Sequence, residues 1–456
     1  MSAPHKLLVV SVDAMVGDDV EFARTLPAFG RLLRDAATAQ IEAVFPTLTY
    51  PNHTAQLTGA GPASSGIYNN TQFQPHEADP DWFWSAHHVR VPTLLDAARR
   101  AGLRTAAVQW PATAHADIDT LVPEIWDREY WGGVQEMYRA TGSPDVWETY
   151  VAKHVDLVVW EPKRDFNDFA CAVAADVLER ERPDVMVLHL VAVDAARHAT
   201  GPFSPQVHDA LRRIDGYLGR LLDVLEHTGE LERTNVVLVS DHGHLAVEQH
   251  TQLNAVFAER GFLRIDGAGR LLDYDVICHS AGLSGQLFLA EDLSPARLAD
   301  VAALLRDLEA DPQYRIAAIH TAAEAASRYG LDGPFAYVVE SEPGVLVGRD
   351  WTSRPVVRRE DADFAGYLGN HGHAPQHGGS RCSSRPGRRS RRGRTRGAVR
   401  SSTRRRRSPR CSAWSCRTPK APRCPSCSSA LAWGRPSPRK SPVLCGAVGD
   451  GRDLRH

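Results

Sequence analysis

Leu7-Leu8-Val9-Val10-Ser11-Val12-Asp13 decides how this chain folds. The run is almost continuously apolar, without the alternation of a half-exposed strand, so it predicts a strand buried on both faces in a parallel sheet. It ends in an aspartate. The same pattern recurs at Val185 to Val193, which ends in Asp194, and at Asn235 to Ser240, which ends in Asp241-His242-Gly243-His244. A single aspartate after a strand reads as the cap of the next helix. Three of them, two with histidines close by, point instead to a shared site, because open α/β sheets place their sites beyond the carboxyl ends of the strands.

Helical periodicity fills the gaps between these runs. Residues 22–36 carry Phe22, Leu26, Phe29, Leu32 and Leu33 at helical spacing, residues 166–182 are amphipathic, and Val207 to His227 places Leu211, Ile214, Leu218, Leu221, Leu222 and Leu225 on one face. Ala39 to Phe45 is expected to return as a strand. The predicted fold class is therefore α/β, a central, mostly parallel sheet flanked by helices. Two insertions are expected. Residues of about 70–160 hold seven of the ten tryptophans and read as an aromatic subdomain that packs locally or caps a substrate ring. Residues of about 252–365 read as a smaller α+β insertion, with strand-like Gln286 to Leu289 and Ala336 to Val339 and a helix over 295–309.

At 456 residues and 43% hydrophobic the chain can bury a large core. Its net charge of −2 hides two unlike parts. From Gly378 onward there are 22 Lys+Arg against 2 Asp+Glu, whereas residues 1–377 carry 31 against 53. Six of the eight cysteines lie in the basic part, leaving Cys171 and Cys278 in the acidic body, so no disulfide framework is expected there. The first run, Lys6 to Val12, is only seven residues long, is strand-like and ends in Asp13, so neither a signal peptide nor a membrane span is expected and a cytoplasmic protein is.

Phe45-Pro-Thr-Leu-Thr-Tyr-Pro-Asn-His53 offers Thr49 as a candidate nucleophile, its backbone restrained by Pro46 and Pro51. Taken alone it reads as a plain turn. A threonine hydroxyl attacks well only when a cation or base lowers its pKa. Asp194 and His198 are four residues apart and meet on one face if the segment enters a helix. Asp241-His242 supplies a second carboxylate and imidazole, and Asp13 with one histidine of Gly369-Asn-His-Gly-His-Ala-Pro-Gln-His377 completes three carboxylates and three imidazoles. Such N/O donors suit zinc, with manganese second and calcium disfavoured. Two ions about 4 Å apart would clamp the attacking and leaving oxygens of a displacement at phosphorus. His87, His88, His154 and His189 have no such context and read as ordinary surface or core residues.

The order and spacing of these segments, with Gly66-Ile-Tyr-Asn-Asn70 and with Gly201-Pro202 after His198, resemble the nucleotide pyrophosphatase/phosphodiesterase branch of the alkaline phosphatase superfamily over residues 6–377. The resemblance implies an alkaline-phosphatase-like phosphodiesterase domain over residues 1–377, with two divalent ions, zinc foremost, as cofactors. Asp13, Asp241 and His242 would hold one ion with Thr49, and Asp194, His198 and His371 the other. Asn70 and the Thr49 amide would face the non-bridging oxygens, and Tyr50 would pack on a nucleobase. Arg197 stands where many relatives have glycine, and would contact phosphate or pair with a carboxylate. His244 and His373 would lie behind the ligands. The implied reaction has Thr49 attack phosphorus, an alcohol or nucleoside phosphate leave, and water cleave the phosphothreonine.

The Arg-, Ser-, Pro- and Cys-rich residues 378–456 lack apolar periodicity and read as a disordered basic tail. The resemblance stops at His377. With GC-rich codons, Ser412 to Thr418 back-translates so that a shift of one nucleotide reads Gly-Leu-Glu-Leu-Pro-Asp-Ala, so the tail is expected to be a frameshift product arising near codon 378. The expected partner is a small phosphodiester or nucleotide, with no membrane and no nucleic acid beyond nonspecific attraction to the tail. Alternatives are a phosphomonoesterase or phosphonate hydrolase on the same scaffold, an inactive truncated enzyme, and a basic-tailed nucleic-acid-binding protein. A sulfatase is disfavoured, since it would need Cys or Ser where Thr49 stands.

Overall fold

The computed structural model describes residues 5–377 other than 35, 78, 127–128 and 161–164, so the expectations for the tail lie outside the described residues. Five strands, β1 (Lys6–Val12), β2 (Thr105–Val108), β3 (Thr120–Val122), β4 (Val185–Leu190) and β5 (Thr234–Val239), form one all-parallel sheet in the order β3-β2-β4-β1-β5. The apolar run that begins the chain lies between β4 and β5, with Val9 opposite Val187 on one side and Val237 on the other. β4 is buried at every position. The third apolar run differs: β5 is flanked on one side only among the described strands, and Val237 is 40% exposed.

Four helices position the site: α1 (Thr49–Thr58), α2 (Asn167–Arg180), α3 (Ala192–Thr200) and α4 (Pro205–His227). The apolar face of α4 is buried as its periodicity predicts, from Leu211 to Leu225, in one cluster with α2, β1 and β4. Each such side chain contributes about 1.5–3 kcal/mol on burial, whereas helix propensities differ by under about 1 kcal/mol per ordinary residue. Packing decides these helices.

Three local expectations fail for identifiable reasons. The helix over 22–36 is split into Val20–Ala23 and Pro27–Leu33, because Pro27 lacks an N–H and serves as the first residue of a new helix. Residues 39–44 form no strand; they are mostly exposed, with Ile41 at 66%, and gain no burial from pairing. The tryptophan-rich stretch does not stand apart as an insertion, since β2 and β3 lie within it and belong to the central sheet.

The later part of the body is α+β as expected. Strands Val276–Ser280, Ser284–Leu289, Ile316–Thr321 and Tyr337–Ser341 form an antiparallel sheet packed against helix Pro295–Ala310. From it the chain returns through Gly369–Asn370, which pairs with Leu245–Ala246 just after β5. That pairing brings the last histidine loop back to the carboxyl ends of the parallel strands.

Candidate active site

Asp13 follows β1 directly, and its N–H donates to Leu190 O at the end of β4. Asp241 follows β5, and its Oδ1 accepts from the Ala14 N–H at 3.1 Å, tying the two strand ends together. Asp194 lies in the first turn of α3, after β4. His371 is carried by a loop that only glycine permits: Gly372 has φ +92°, and a Cβ there would lie 1.7 Å from Ala281 O. The three strand-end aspartates therefore converge although 228 positions separate the first from the last.

Two groups of donors result. One ligand atom each from Asp13, Asp241 and His242 lie within 4.8 Å of one another, and so do those from Asp194, His242, His244 and His371. His242 belongs to both and stacks on His371 with ring centroids 3.8 Å apart. His198 Nε2 lies 3.5 Å from Asp194 Oδ2. The imidazoles are aimed from behind: His371 Nδ1 lies 3.0 Å from Thr47 O, and His198 Nδ1 lies 2.9 Å from Gly369 O. Each carbonyl accepts an N–H there, leaving Nε2 to face the carboxylates, the orientation typical of metal-binding histidines.

The electrostatics match a cation site. Burial, reinforced for Asp13 by Asp194 and for Asp241 by Asp13, pushes Asp13 up to about 7 and Asp241 well above the carboxylate range. Asp194 is pulled the other way. Burial opposes it, but His198, His244 and His371 hold its carboxyl well below the ordinary value. Burial also lowers His242 and His371 well below the usual imidazole range, so both are neutral donors at pH 7. Asp13 Oδ1 and Asp241 Oδ2 are buried and accept no hydrogen bond, although Asp241 Oδ2 lies 3.0 Å from His242 Nε2. Buried carboxylate oxygens without donors are costly; a divalent ion between these N and O atoms would satisfy them, so the donor set fits the metal that the motifs imply.

Thr49 is the first residue of α1, not a residue of an isolated turn. Pro51 is tolerated because the first helical turn needs no N–H from it. Thr49 Oγ1 lies 3.2 Å from His242 Nε2, at the edge of both donor groups. Thr47 is used differently: its hydroxyl donates to His373 O and accepts from the Gly372 N–H, locking the histidine loop onto the loop before α1. Asn70 Oδ1 accepts the Tyr50 N–H at 2.9 Å, which leaves its NH2 group as the donor end.

Tyr50 and Arg197 are both buried, and Arg197 takes the second of its two expected roles, pairing with a carboxylate. Tyr50 is fully buried, with its ring 5.3 Å from that of Trp82 in an aromatic cluster, so it presents no open face to a base. Arg197 is 1% exposed; it donates to Ala14 O, Pro202 O and Asp19 Oδ2, and its guanidinium is a structural pin instead of a phosphate contact. Conversely, His189 is no ordinary core residue. Its Nε2 lies 3.0 Å from Asp13 Oδ2 and its Nδ1 2.6 Å from Glu124 Oε2. Burial disfavours its charge, yet Glu124 and Asp13 raise its pKa well above the ordinary value. The available signal was one titratable residue inside the otherwise apolar β4.

The chain is similar to known proteins in sequence and in fold. The chain is 27% identical over 230 residues to human ectonucleotide pyrophosphatase/phosphodiesterase family member 1, covering 48% of this chain and 21% of that protein. It is 24% identical over 249 residues to a pyrophosphatase/phosphodiesterase of Schizosaccharomyces pombe, covering 52% of this chain and 44% of that one. The matched stretches thus span less than half of these relatives. Among solved structures, murine ectonucleotide pyrophosphatase/phosphodiesterase 5 superposes with a TM-score of 0.54 at 19% identity, covering 81% of this chain and 85% of that one. Phosphonoacetate hydrolase from Sinorhizobium meliloti gives 0.56 at 19% identity, covering 82% and 87%. Among the described residues no helix is long and apolar enough to cross a membrane. The model of the type I phosphodiesterase/nucleotide pyrophosphatase family matches residues 7–367, and the chain belongs to that family.

Proposed function

We propose that this chain is a metal-dependent hydrolase that cleaves phosphodiester or pyrophosphate bonds of nucleotide-like substrates through a phosphothreonine on Thr49. The observation that carries this reading is the Thr49 hydroxyl at a helix N-terminus, 3.2 Å from His242 Nε2 beside two adjoining groups of buried carboxylate and imidazole donors. Asp13, Asp241 and His242 would hold one divalent ion, and Asp194, His198 and His371 the other, with zinc expected from the donor types. Such ions, when bound, lower the pKa of a coordinated hydroxyl and neutralise charge building up on phosphoryl oxygens.

The chain's own groups do the rest. The start of α1 favours an anion, since the first N–H groups of a helix have no partners within it and the helix dipole is positive there. The Thr49 N–H and the Asn70 NH2 group would donate to the non-bridging oxygens and hold phosphorus over the Thr49 hydroxyl. Attack by Thr49 Oγ1 forms the phosphothreonine and releases an alcohol or nucleoside phosphate; water then cleaves it and restores the hydroxyl. One murine structural neighbour, solved with AMP, carries a threonine-to-alanine change and is described as inactive, which supports a nucleotide-like ligand and a threonine nucleophile here.

A phosphonate hydrolase on the same scaffold is the second reading, brought by the likeness to phosphonoacetate hydrolase. A panel of bis(p-nitrophenyl) phosphate, p-nitrophenyl phosphate and phosphonoacetate separates them. Preference for the diester supports the leading reading; strong preference for the monoester or the phosphonate overturns it. The cytoplasmic placement also stays a proposal, tested by fractionating the producing cell.

A further inference from the structure

Gln286 and His279 stand directly opposite one another on the adjacent strands Ser284–Leu289 and Val276–Ser280 of the antiparallel sheet. Directly opposed side chains of an antiparallel pair lie on one face, and both of these reach the loop that carries Asn70. Gln286 is 1% exposed; its Nε2 donates to Tyr68 O at 2.8 Å and its Oε1 accepts from Asn69 Nδ2 at 3.0 Å. Asn69 Nδ2 also donates to Ser280 O at 3.2 Å, and Asn69 Oδ1 accepts the Asn70 N–H at 2.7 Å and the Thr71 N–H at 3.4 Å. His279 Nε2 lies 3.1 Å from Thr71 Oγ1. The residues before and after Asn70 are thus both fastened to this sheet, across 217 positions from Asn69 to Gln286 and 208 from Thr71 to His279.

We infer that Gln286 is a positioning residue for the reaction: acting through Asn69, it sets where the Asn70 NH2 group stands relative to phosphorus. This rests on the phosphate-facing role proposed above for Asn70 and goes beyond it, because that reading says nothing of what holds Asn70 in place. The simpler role for Gln286 is to join the sheet to the loop and satisfy buried polar groups. Two features favour positioning. Tyr68 O can only accept and the Asn70 N–H can only donate, so the amides of Gln286 and Asn69 have one orientation each, and the string of bonds that starts on the strand ends on Asn70 itself. Asn70 is also held at three polar groups: its N–H by Asn69, its C=O by the Phe83 N–H at 2.9 Å and its Oδ1 by the Tyr50 N–H. These bonds set the place of the NH2 group that remains, and the first of them depends on Gln286. Misplacing a group that binds the transition state by about 1 Å costs on the order of 10²-fold in rate.

A double-mutant cycle on the full chain separates the two roles. Gln286→Met removes both amide bonds at similar length, and Asn70→Ala removes the NH2 group that Gln286 places. With bis(p-nitrophenyl) phosphate, positioning predicts that Asn70→Ala lowers kcat/KM by on the order of 10²-fold, that Gln286→Met lowers it by at least about 10-fold, and that the double variant loses no more than Asn70→Ala alone. Gln286→Glu keeps an oxygen for Asn69 Nδ2 and gives up only the bond to Tyr68 O; it should lose less, and it takes the place of Gln286→Met in the cycle if that variant does not fold. Metal content read by mass spectrometry should equal that of wild type throughout. Losses that multiply in the double variant, wild-type kcat/KM in Gln286→Met, or a fall in metal content that accounts for its loss would each overturn the inference. Wild-type kcat/KM in Asn70→Ala would instead refute the role of Asn70 on which it rests.

Discussion

Thr49 Oγ1 and His242 Nε2 lie 3.2 Å apart although 193 positions separate them in the chain. The pair joins the start of α1 to the end of β5 and places the Thr49 hydroxyl against the imidazole shared by both donor groups. Thr47, two residues earlier, spends its hydroxyl on the histidine loop. Thr49→Ala is therefore expected to lower kcat by on the order of 10³-fold or more. Metal content should remain at two ions per chain, since the carboxylate and imidazole donors are untouched. Turnover and metal analysis on one preparation check both, and activity retained by the variant would move the nucleophile elsewhere.

His189 holds Asp13 from behind, with Glu124 on its other nitrogen. Removing a group that orients a metal-binding carboxylate typically weakens the metal by about 10–100-fold. His189→Ala should show that loss for the ion at Asp13 and Asp241, while the ion at Asp194 keeps its affinity. Chelator titration followed by metal analysis reads the two separately.

Arg197 tests a structural role against a substrate-binding one. Its guanidinium is 1% exposed and ion-paired with Asp19 at 2.6 Å. Breaking a buried pair by removing one partner costs about 3–5 kcal/mol, so Arg197→Met should lower unfolding free energy by that order and leave KM nearly unchanged. Asp19→Asn in the same chain should recover part of the loss. A large rise in KM without a loss of stability would restore Arg197 to phosphate binding.

Glu340 sets an acid limb of stability. It accepts from His320, Tyr329, Gln376 and His377. Burial opposes its charge, yet Tyr329, His320 and His377 hold its pKa below the ordinary 4.5. A depressed native pKa contributes stability that is fully present above the unfolded value and is lost as pH falls through the native value. Wild type should therefore exceed Glu340→Gln in urea unfolding at pH 6, with the gap closing toward pH 3. A gap that widens on acidification would contradict this sign.

Much of the sheet was legible because buried parallel strands declare themselves as apolar runs: β1 lies where Leu7 to Val12 places it, and β4 takes Val185 to Leu190 of the second run, whose end at Ala192 and Val193 already opens α3. β2 and β3 were not. They are four and three residues long, and their neighbours' tryptophans dominate the local composition. The aspartates and histidines of the site were readable because their types and spacing carry the chemistry. Burial of Tyr50 and Arg197 was not, since it depends on Trp82 and Asp19, whose approach is tertiary. His189 was missed for the same reason: its partner Asp13 lies 176 positions away, across the β1–β4 pairing.

The central claim is that Thr49 is the group that attacks phosphorus. Rapid acid quenching of enzyme mixed with a diester labelled at phosphorus, followed by proteolysis and mass spectrometry, addresses it directly. The account predicts a phosphoryl or nucleotidyl adduct on Thr49, absent from Thr49→Ala. An adduct on Thr47 or Thr54, or single-turnover release of product with no adduct on any residue, would contradict it.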